Sequence, residues 1–253
     1  MKIVLFSRVP RWYSFKNERL ARRLTADGHE IVGVIVEQTA TIQSLLEWKS
    51  KLGADVFLKK AGKKILGAKS AQKVGNNGNR NGNLPEVSPK VFFVASHNSP
   101  ECVEILQNLE PDLIVLRGCG IIKKHILEIP KIGVINPHYA KLPDFRGMDV
   151  TEWSVLCGAD VAVSVHTVNE GVDTGVVLKS KIIEPTSEDT VGSLRDKSAA
   201  LVVDLLAEAV KDFSDGKPFP SVETKEAGGK QYFQMHPRLK ELANLRLKKF
   251  GRN

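Results

Sequence analysis

The chain has 253 residues, of which 42% are hydrophobic and 26% charged, as in an ordinary globular protein of one large domain or one domain with a small appendage. The apolar run in residues 1–8 is far too short for a signal peptide or a membrane span, so it predicts a first strand. Three widely spaced cysteines, Cys102, Cys119 and Cys157, lack metal-ligand spacing and favour a reducing, cytoplasmic location.

The net charge of +8 is concentrated in two segments. Residues 59–90 carry eight Lys or Arg against one Glu, and residues 238–253 carry six against one, so the rest of the chain is mildly acidic. Such segments can attract nucleic acid or phosphorylated substrates, but a solvated surface is the commoner explanation. We therefore leave a nucleic-acid partner open without favouring it.

The first half of the chain alternates between strand and helix patterns. A strand over Lys2 to Ser7 precedes a helical stripe that Gly28 ends, and a strand over His29 to Glu37 precedes a second stripe from Ile42 to Leu52. This alternation predicts an α/β fold with a mostly parallel twisted sheet flanked by helices. Residues 59–90 interrupt it with a basic segment and an Asn- and Gly-rich run, which predict a flexible insert.

The loop after the first strand lacks the Gly-x-Gly-x-x-Gly fingerprint of dinucleotide-binding folds. It contains Arg8 and Arg11, which are candidates for holding an anionic substrate. Exposed surface arginines explain the pair equally well.

Regular patterns resume after the insert. A strand over Val91 to Val94 and a helix over Pro100 to Leu109 precede a strand over Asp112 to Leu116. That strand runs into residues 117–122, whose two glycines permit a close backbone approach to a ligand or simply a tight turn into a helix.

The most informative stretch runs from Ile135 to Gly175. Asn136 and His138 follow a short β-branched run that Pro137 is expected to end, so they should lie at a strand's carboxyl end, where ligands bind in open α/β sheets. Residues i and i+2 share one face of an extended segment. The amide and the imidazole are therefore expected to point into the same space.

A turn, a helix and a strand separate these two residues from an acidic loop. The turn covers Leu142 to Gly147, where a cis X-Pro bond is open, and the helix and strand cover Thr151 to Cys157 and Val161 to His166. The loop then places Asp173 between two glycines, in a turn where backbone can approach a ligand closely.

An amide donor, an imidazole and a carboxylate together suit direct acyl transfer to an amine. Asn136 and a protonated His138 could stabilise an oxyanion, and Asp173 could accept the amine's protons directly or through water. We expect partial burial to raise the pKa of this carboxyl toward a useful range. Each residue alone has an ordinary structural explanation, as a turn former, a structural histidine or a loop cap.

The C-terminal part of the chain contains two strand patterns and two helix patterns, over residues 176–183, 190–213, 230–235 and 237–249. The long second segment is amphipathic and has Thr190 or Ser187 near its cap. We predict a catalytic domain over residues 1–215 and an extension over residues 216–253. The extension could cover the site, contact a second copy or pack on the core.

These motifs resemble the signature of the folate-dependent formyltransferases, the family that includes methionyl-tRNA, glycinamide ribonucleotide and sugar N-formyltransferases. The family pattern is Asn-x-His, a Leu-Pro-x-(aromatic)-Arg-Gly turn, a Trp on the next helix, a Gly-Val-Thr-x-His-like strand and Asp-Thr-Gly. The matching residues are Asn136, His138, Leu142 to Gly147, Trp153, Val163 to His166, and Asp173 to Gly175. Ala140 is a departure, since many members carry Ser there.

The resemblance implies a Rossmann-like formyltransferase fold and 10-formyltetrahydrofolate as the formyl donor. It implies that Asn136 orients the formyl oxygen, that His138 stabilises the developing oxyanion, and that Asp173 accepts the amine's proton. The residues implied to enclose the folate are Arg117, Gly118, Gly120, Ile121, Ile122 and Gly171. The residues expected to contact the acceptor are Arg8, Pro137, Tyr139 and Arg146.

The acceptor itself is open. We favour a small-molecule primary amine, such as a nucleotide-linked amino sugar, because the sequence shows neither the phosphate loop of the glycinamide ribonucleotide branch nor the C-terminal barrel usual in the tRNA branch. Methionyl-tRNA, glycinamide ribonucleotide, a 10-formyltetrahydrofolate hydrolase and a catalytically silent folate-binding protein remain alternatives. A homodimer is also open, and no membrane partner is expected.

Overall fold

The computed structural model describes residues 1–8, 15–38, 89–219 and 228–248. The strands in these ranges are β1 (Lys2–Arg8), β2 (Glu30–Glu37), β3 (Val91–Val94), β4 (Leu113–Arg117), β5 (Gly133–His138), β6 (Phe145–Gly147), β7 (Val161–Thr167), β8 (Val177–Ile183) and β9 (Lys230–Tyr232). The helices are α1 (Phe15–Ala26), α2 (Pro100–Leu109), α3 (Lys124–Leu127), α4 (Val150–Cys157), α5 (Val191–Ser214) and α6 (Pro237–Leu247). The predicted stripe from Ile42 to Leu52, Arg11, and all but the last two residues of the insert lie outside the described residues.

Seven strands form one sheet in the order β3-β2-β1-β4-β5-β7-β8. The first five are mutually parallel, whereas β7 and β8 are antiparallel to their neighbours, which confirms the predicted mostly parallel sheet. Carboxyl ends of parallel strands meet at one edge, so the loops after β1, β4 and β5 open on the same side. Strands β6 and β9 form a separate parallel pair.

The sheet is buried on both faces, as strand β1 shows. Its side chains alternate in direction, so Ile3 and Leu5 pack in one cluster with α1, α5 and α6, whereas Val4 and Phe6 pack in another with α2 and α3. Ala243 and Leu247 place α6 in the first cluster, so the C-terminal extension packs on the main core. The division after residue 215 stays a prediction.

Pro137 does not end its strand as predicted. Strand β5 continues to His138, and Pro137 pairs in register with Val165 of β7. The Val134 carbonyl accepts from the Val168 N–H, so even-numbered residues of β5 bond toward β7 and Pro137 faces the β4 side. Register with β4 stops at Ile135, so the missing N–H of proline costs no ladder bond.

The long helix α5 begins at a dense polar cap. Thr190 is the N-cap, as one of the two predicted candidates, and forms a capping box with Ser193. Just before it, the buried Asp189 accepts hydrogen bonds from Thr186, Ser193 and Lys197. Within the described ranges no helix, α5 included, has the length and apolar character needed to cross a membrane.

We expect Asp189→Ala to lower the free energy of unfolding by about 1–3 kcal/mol at pH 7, because several donors lose their acceptor. Burial raises the pKa of Asp189, but hydrogen bonds from Lys197, Ser193 and Thr186 hold it well below its ordinary 3.8. The stabilisation that the ionised Asp189 carboxylate gives the folded state is therefore present above pH 3.8. It is lost as the pH falls through the lower pKa that this carboxyl has in the folded state. Urea unfolding at several pH values measures it.

The exposed neighbour Glu188 supplies the matched control. Glu188→Ala should leave the unfolding curve close to that of the wild type. Equal effects of the two substitutions would contradict the role given to Asp189.

Candidate active site

The structure brings Asn136, His138 and Asp173 together at the carboxyl end of β5. The His138 Nδ1 lies 3.5 Å from Asp173 Oδ2. The Asn136 side chain reaches the same group through His166, whose Nε2 lies 3.1 Å from the amide nitrogen and 3.5 Å from Asp173 Oδ1. Strand β5 holds the first two residues on one face, and the loop between β7 and β8 folds Asp173 onto them.

His138 is buried and has a defined orientation. Its Nε2–H donates to the Phe145 carbonyl at 2.7 Å, so the neutral ring presents the unprotonated Nδ1 to Asp173. Burial lowers the pKa of His138 below its ordinary 6.5, against the raising effects of the Asp173 charge and the Phe145 carbonyl. The imidazole is therefore neutral at pH 7, and it would have to gain a proton before it could stabilise an oxyanion as a cation.

His166 is a further member of the site that sequence reasoning did not assign. Its Nδ1–H donates to the Thr167 carbonyl at 2.7 Å, which leaves Nε2 to accept from Asn136 when the ring is neutral. When protonated, Nε2 can donate to Asp173 instead. The available signal was the histidine at the end of a buried strand, but its register opposite Asn136 required the paired strands.

Asp173 has a strained backbone and a fixed carboxylate. Its φ is 51°, in the left-handed region that few non-glycine residues adopt. The Gly147 N–H donates to Oδ2 at 2.8 Å. On the other side, a Cβ on Gly175 would collide with the Thr167 carbonyl, so the glycine lets the loop lie directly on β7.

The expected rise in the pKa of Asp173 is wrong in direction. Burial does raise the pKa, but the contacts with His166, His138 and the Gly147 N–H together hold it below the ordinary 3.8. The site at neutral pH thus contains an ionised carboxylate beside a neutral imidazole, which is the arrangement of a proton acceptor.

The loop after β4 follows the strand that pairs directly with β5. Arg117 and Ile122 are buried, Gly118 has a φ of 77°, and the Ile121 side chain is 71% exposed. Asn98 holds the loop by donating to the Ile121 carbonyl at 2.9 Å and accepting from the Lys123 N–H at 2.7 Å. Asn98 thus fixes the backbone on both sides of Ile122 and leaves the apolar Ile121 side chain exposed.

The same loop contacts Arg8 at Gly120. The Arg8 guanidinium would collide with a Cβ at Gly120, and both its Nε and one terminal nitrogen bond Glu37 Oε1, at 2.9 and 2.8 Å. The buried His97 stacks on Phe6 and donates its backbone N–H to the other Glu37 oxygen. Arg8 is thus held in place beside the loop at the carboxyl edge of the sheet.

The remaining predicted residues bond or pack within the protein. Arg146 donates to the Gly229 carbonyl at 3.3 Å, while its buried Nε has no hydrogen-bond partner within the described ranges. Tyr139 is half-buried against the core, and its carbonyl accepts from the Thr151 hydroxyl. Pro137 is buried, and Gly171 packs against Thr174. Among the described side chains, no three His, Cys, Asp or Glu residues group as metal ligands would.

The Leu142–Pro143 bond is cis, the isomer left open from the sequence. The buried Ser164 hydroxyl holds this turn by accepting from the Leu142 N–H and donating to the Ala140 carbonyl, at 3.2 and 2.8 Å. A hydroxyl therefore does contact position 140, although it comes from β7.

Part of the chain is similar in sequence to curated methionyl-tRNA formyltransferases. A curated relative, the methionyl-tRNA formyltransferase of Desulfotalea psychrophila, is 40% identical over 118 residues, which are 46% of this chain and 36% of that relative. The chain spans less than half the length of the curated relatives it matches.

Solved formyltransferases have the same fold. The phosphoribosylglycinamide formyltransferase of Anaplasma phagocytophilum superposes with a TM-score of 0.61 at 18% identity, over 93% of this chain and 99% of that one. The formyltransferase PseJ of Anoxybacillus kamchatkensis, in complex with UDP-4,6-dideoxy-4-formamido-L-AltNAc and tetrahydrofolate, gives 0.51 at 19% identity, over 92% and 86%. At these identities the likeness concerns the fold, and it confirms the predicted Rossmann-like formyltransferase architecture.

A sequence model of the formyl transferase family matches residues 16–210. The match includes β5, β6, β7 and the loop that carries Asp173. Because it covers well over half of the residues, the chain belongs to the formyl transferase family.

Proposed function

We propose that this protein transfers a formyl group from 10-formyltetrahydrofolate to a primary amine. The observation that carries the proposal is the group formed by the buried His138 and the partly buried Asn136 and Asp173, in which an ionised carboxylate lies 3.5 Å from a neutral imidazole. Such a group can take a proton from an attacking amine at neutral pH. No covalent nucleophile is required, so the amine attacks the formyl carbon directly.

Asn136 orients the formyl oxygen. Its amide nitrogen carries two hydrogens, one of which is directed at His166, and the second is available to the oxygen as negative charge develops on it. The link to His166 holds the amide in place before the substrate arrives. This pre-organisation is what makes a donor effective in a transition state.

Asp173 and His138 handle the proton. Asp173 accepts the proton that the amine loses on attack, and His138 Nδ1, 3.5 Å away, can receive it in turn. The imidazolium formed in this way stabilises the negative charge and returns the proton to the departing nitrogen. The low pKa of Asp173 keeps this cycle ready, because the carboxylate starts ionised.

The formyl donor carries its formyl group on a nitrogen atom, and tetrahydrofolate leaves through that nitrogen when the group is transferred. The loop after β4 fits its flat ring, since Ile121 offers exposed apolar surface and the glycines allow close backbone approach. The residues that would hold it are Arg117, Gly118, Gly120, Ile121, Ile122 and Gly171.

A small primary amine, such as a nucleotide-linked amino sugar, is the acceptor we favour. The fixed guanidinium of Arg8 lies at the same edge of the sheet and suits an anionic group of such a molecule. Methionyl-tRNA is a second candidate, favoured by the curated relatives that bear that name at 40% and 34% identity.

The deciding experiment is turnover of 10-formyltetrahydrofolate by the purified chain, followed by absorbance. It is run with nucleotide amino sugars, with glycinamide ribonucleotide, with charged initiator tRNA, and without any acceptor. Turnover that requires one acceptor supports the transferase and names its substrate. Acceptor-independent turnover would make the protein a hydrolase, and folate binding without turnover would make it a silent binding protein.

We expect Asp173→Asn to lower kcat roughly a hundred- to ten-thousand-fold, because the amide cannot accept the proton that the carboxylate takes. The hydrogen bond from Gly147 can be kept by the amide oxygen, so the melting temperature should stay close to that of the wild type. Asp160→Asn is the matched control, since Asp160 is exposed and its carboxylate pairs with Lys141 at the surface. Near wild-type kcat in Asp173→Asn would contradict the assigned role.

We expect the His138 ring to titrate below 6.5 and, in Asp173→Asn, lower still. Burial is the largest influence on its pKa, and the Asp173 charge opposes it, so removing that charge lets burial dominate further. Ring-proton NMR over a pH series measures both values, with His138→Gln identifying the signal. A rise in the pKa on removing the carboxylate would contradict the proposed pairing.

A further inference from the structure

The C-terminal segment of residues 228–240 surrounds the turn that supports the active site. It lies outside residues 16–210, which the family model matches. Its strand β9 is the only described sheet partner of β6, with Phe145 opposite Lys230 and Gly147 opposite Tyr232. A three-residue strand cannot hold its own conformation, so the position of β6 depends on what pairs with it.

Strand β6 supplies both of the backbone contacts that orient the catalytic pair. The Phe145 carbonyl accepts from His138 Nε2 at 2.7 Å, and the Gly147 N–H donates to Asp173 Oδ2 at 2.8 Å. A small displacement of β6 would therefore alter the imidazole and the carboxylate together.

Backbone contacts hold the segment against this turn at both ends. The Tyr232 carbonyl accepts from the Met148 N–H at 2.9 Å, and the Lys230 N–H donates to the Asp144 carbonyl at 3.0 Å. A Cβ on Gly147 would collide with the Tyr232 carbonyl. The backbones of β6 and β9 are therefore in direct contact, with no room for a side chain between them.

Side chains reinforce the contact. The Tyr232 ring stacks on Phe145 with centroids 5.1 Å apart and lies 5.2 Å from Trp153. The Trp153 indole N–H donates to the Phe233 carbonyl at 2.9 Å. Tyr232 thus joins β9, β6 and α4 in one aromatic cluster.

Asp149 closes the far end of the turn. Its Oδ2 accepts from the Met235 N–H at 3.0 Å and from Lys240 Nζ at 2.7 Å, while Oδ1 bonds Arg195 of α5 at 3.0 Å. Its φ of 51° is in the left-handed region, which these bonds hold in place. The turn is thereby attached to the core through the C-terminal segment.

We propose that residues 228–240 form a positioning element for Asp173 and His138, with Tyr232 as its principal residue. This inference rests on the proposed formyl transfer for its effect on turnover, but its structural part can be tested without any substrate. The element acts through β6, because Phe145 and Gly147 are the residues that touch the catalytic pair.

The position of β9 influences the pKa of Asp173 through β6. The groups that face this carboxylate are His138 from β5, His166 from β7 and the Gly147 N–H from β6. Of these, the Gly147 N–H depends most directly on β9. Loosening β9 weakens the Gly147 hydrogen bond, which lowers the pKa of Asp173. Burial, which raises that pKa, is then opposed less strongly, so the pKa rises.

The test compares Tyr232→Ala with Tyr232→Phe in the full chain. Tyr232→Ala removes the stacked ring, whereas Tyr232→Phe removes only the hydroxyl. The carboxyl-carbon NMR signal of Asp173, assigned with Asp173→Asn, gives its pKa in each protein. We expect a rise of about one unit in Tyr232→Ala, equivalent to the weakening of one charged hydrogen bond, and a wild-type value in Tyr232→Phe.

Turnover supplies the second readout. We expect kcat of Tyr232→Ala to fall about tenfold, with the KM for the formyl donor changing much less, since the donor loop after β4 is untouched. Tyr232→Phe should restore kcat. Leu245→Ala, on the exposed side of α6, is the control for a change in the same part of the chain and should leave both parameters unchanged.

The outcomes separate this inference from the proposed function. An unchanged Asp173 pKa in Tyr232→Ala overturns the inference, whatever the activity. Should Tyr232→Ala unfold, Trp153→Phe decides by the same measurement, because it removes only the hydrogen bond to the Phe233 carbonyl and keeps an aromatic ring. If the wild type turns over no formyl donor, the proposed function fails, while the NMR comparison still decides the positioning role.

Discussion

The site depends on keeping a charged carboxylate in a buried position. Taking Asp173 out of water favours its neutral form, and only fixed donors and cationic partners can reverse that effect. The pKa of Asp173 lies below its ordinary value despite burial, because the Gly147 N–H donates to its carboxylate and because contacts with His166, and with His138 in its protonated form, also lower it. Everything that positions these three groups therefore helps to keep the Asp173 carboxylate ionised.

The fold meets this requirement by joining segments far apart in the chain. Strand β5 presents His138 from the central sheet, β7 presents His166 from an antiparallel neighbour, and the turn after the cis Leu142–Pro143 bond presents Gly147. Glycines at 147 and 175 allow main chains to lie in contact where any side chain would separate them. The precision of the site thus comes from backbone packing as much as from the reactive side chains.

His138 and Asp173 differ in charge at neutral pH, yet both present a hydrogen-bond acceptor to the other. A neutral imidazole with Nδ1 unprotonated and an ionised carboxylate are both acceptors, so their close approach is unfavourable until a proton arrives between them. In its resting state this pair therefore has a direct electrostatic reason to take up a proton.

The sequence by itself determined the alternating α/β order, the long helix α5 with Thr190 as one of two cap candidates, and the identity of Asn136, His138 and Asp173 as candidates. These follow from local periodicity, from turn residues and from short motifs, all of which neighbouring residues encode. Tertiary structure decided the ionisation of the site and the support given by β9. The sequence pointed to a raised pKa for Asp173 and to a strand ended by Pro137. The pKa prediction was wrong because the hydrogen bond from Gly147 and the contact with His166 arise only when distant segments meet. The strand prediction was wrong because the register beside Pro137 depends on pairing with β7, which is also distant in the chain.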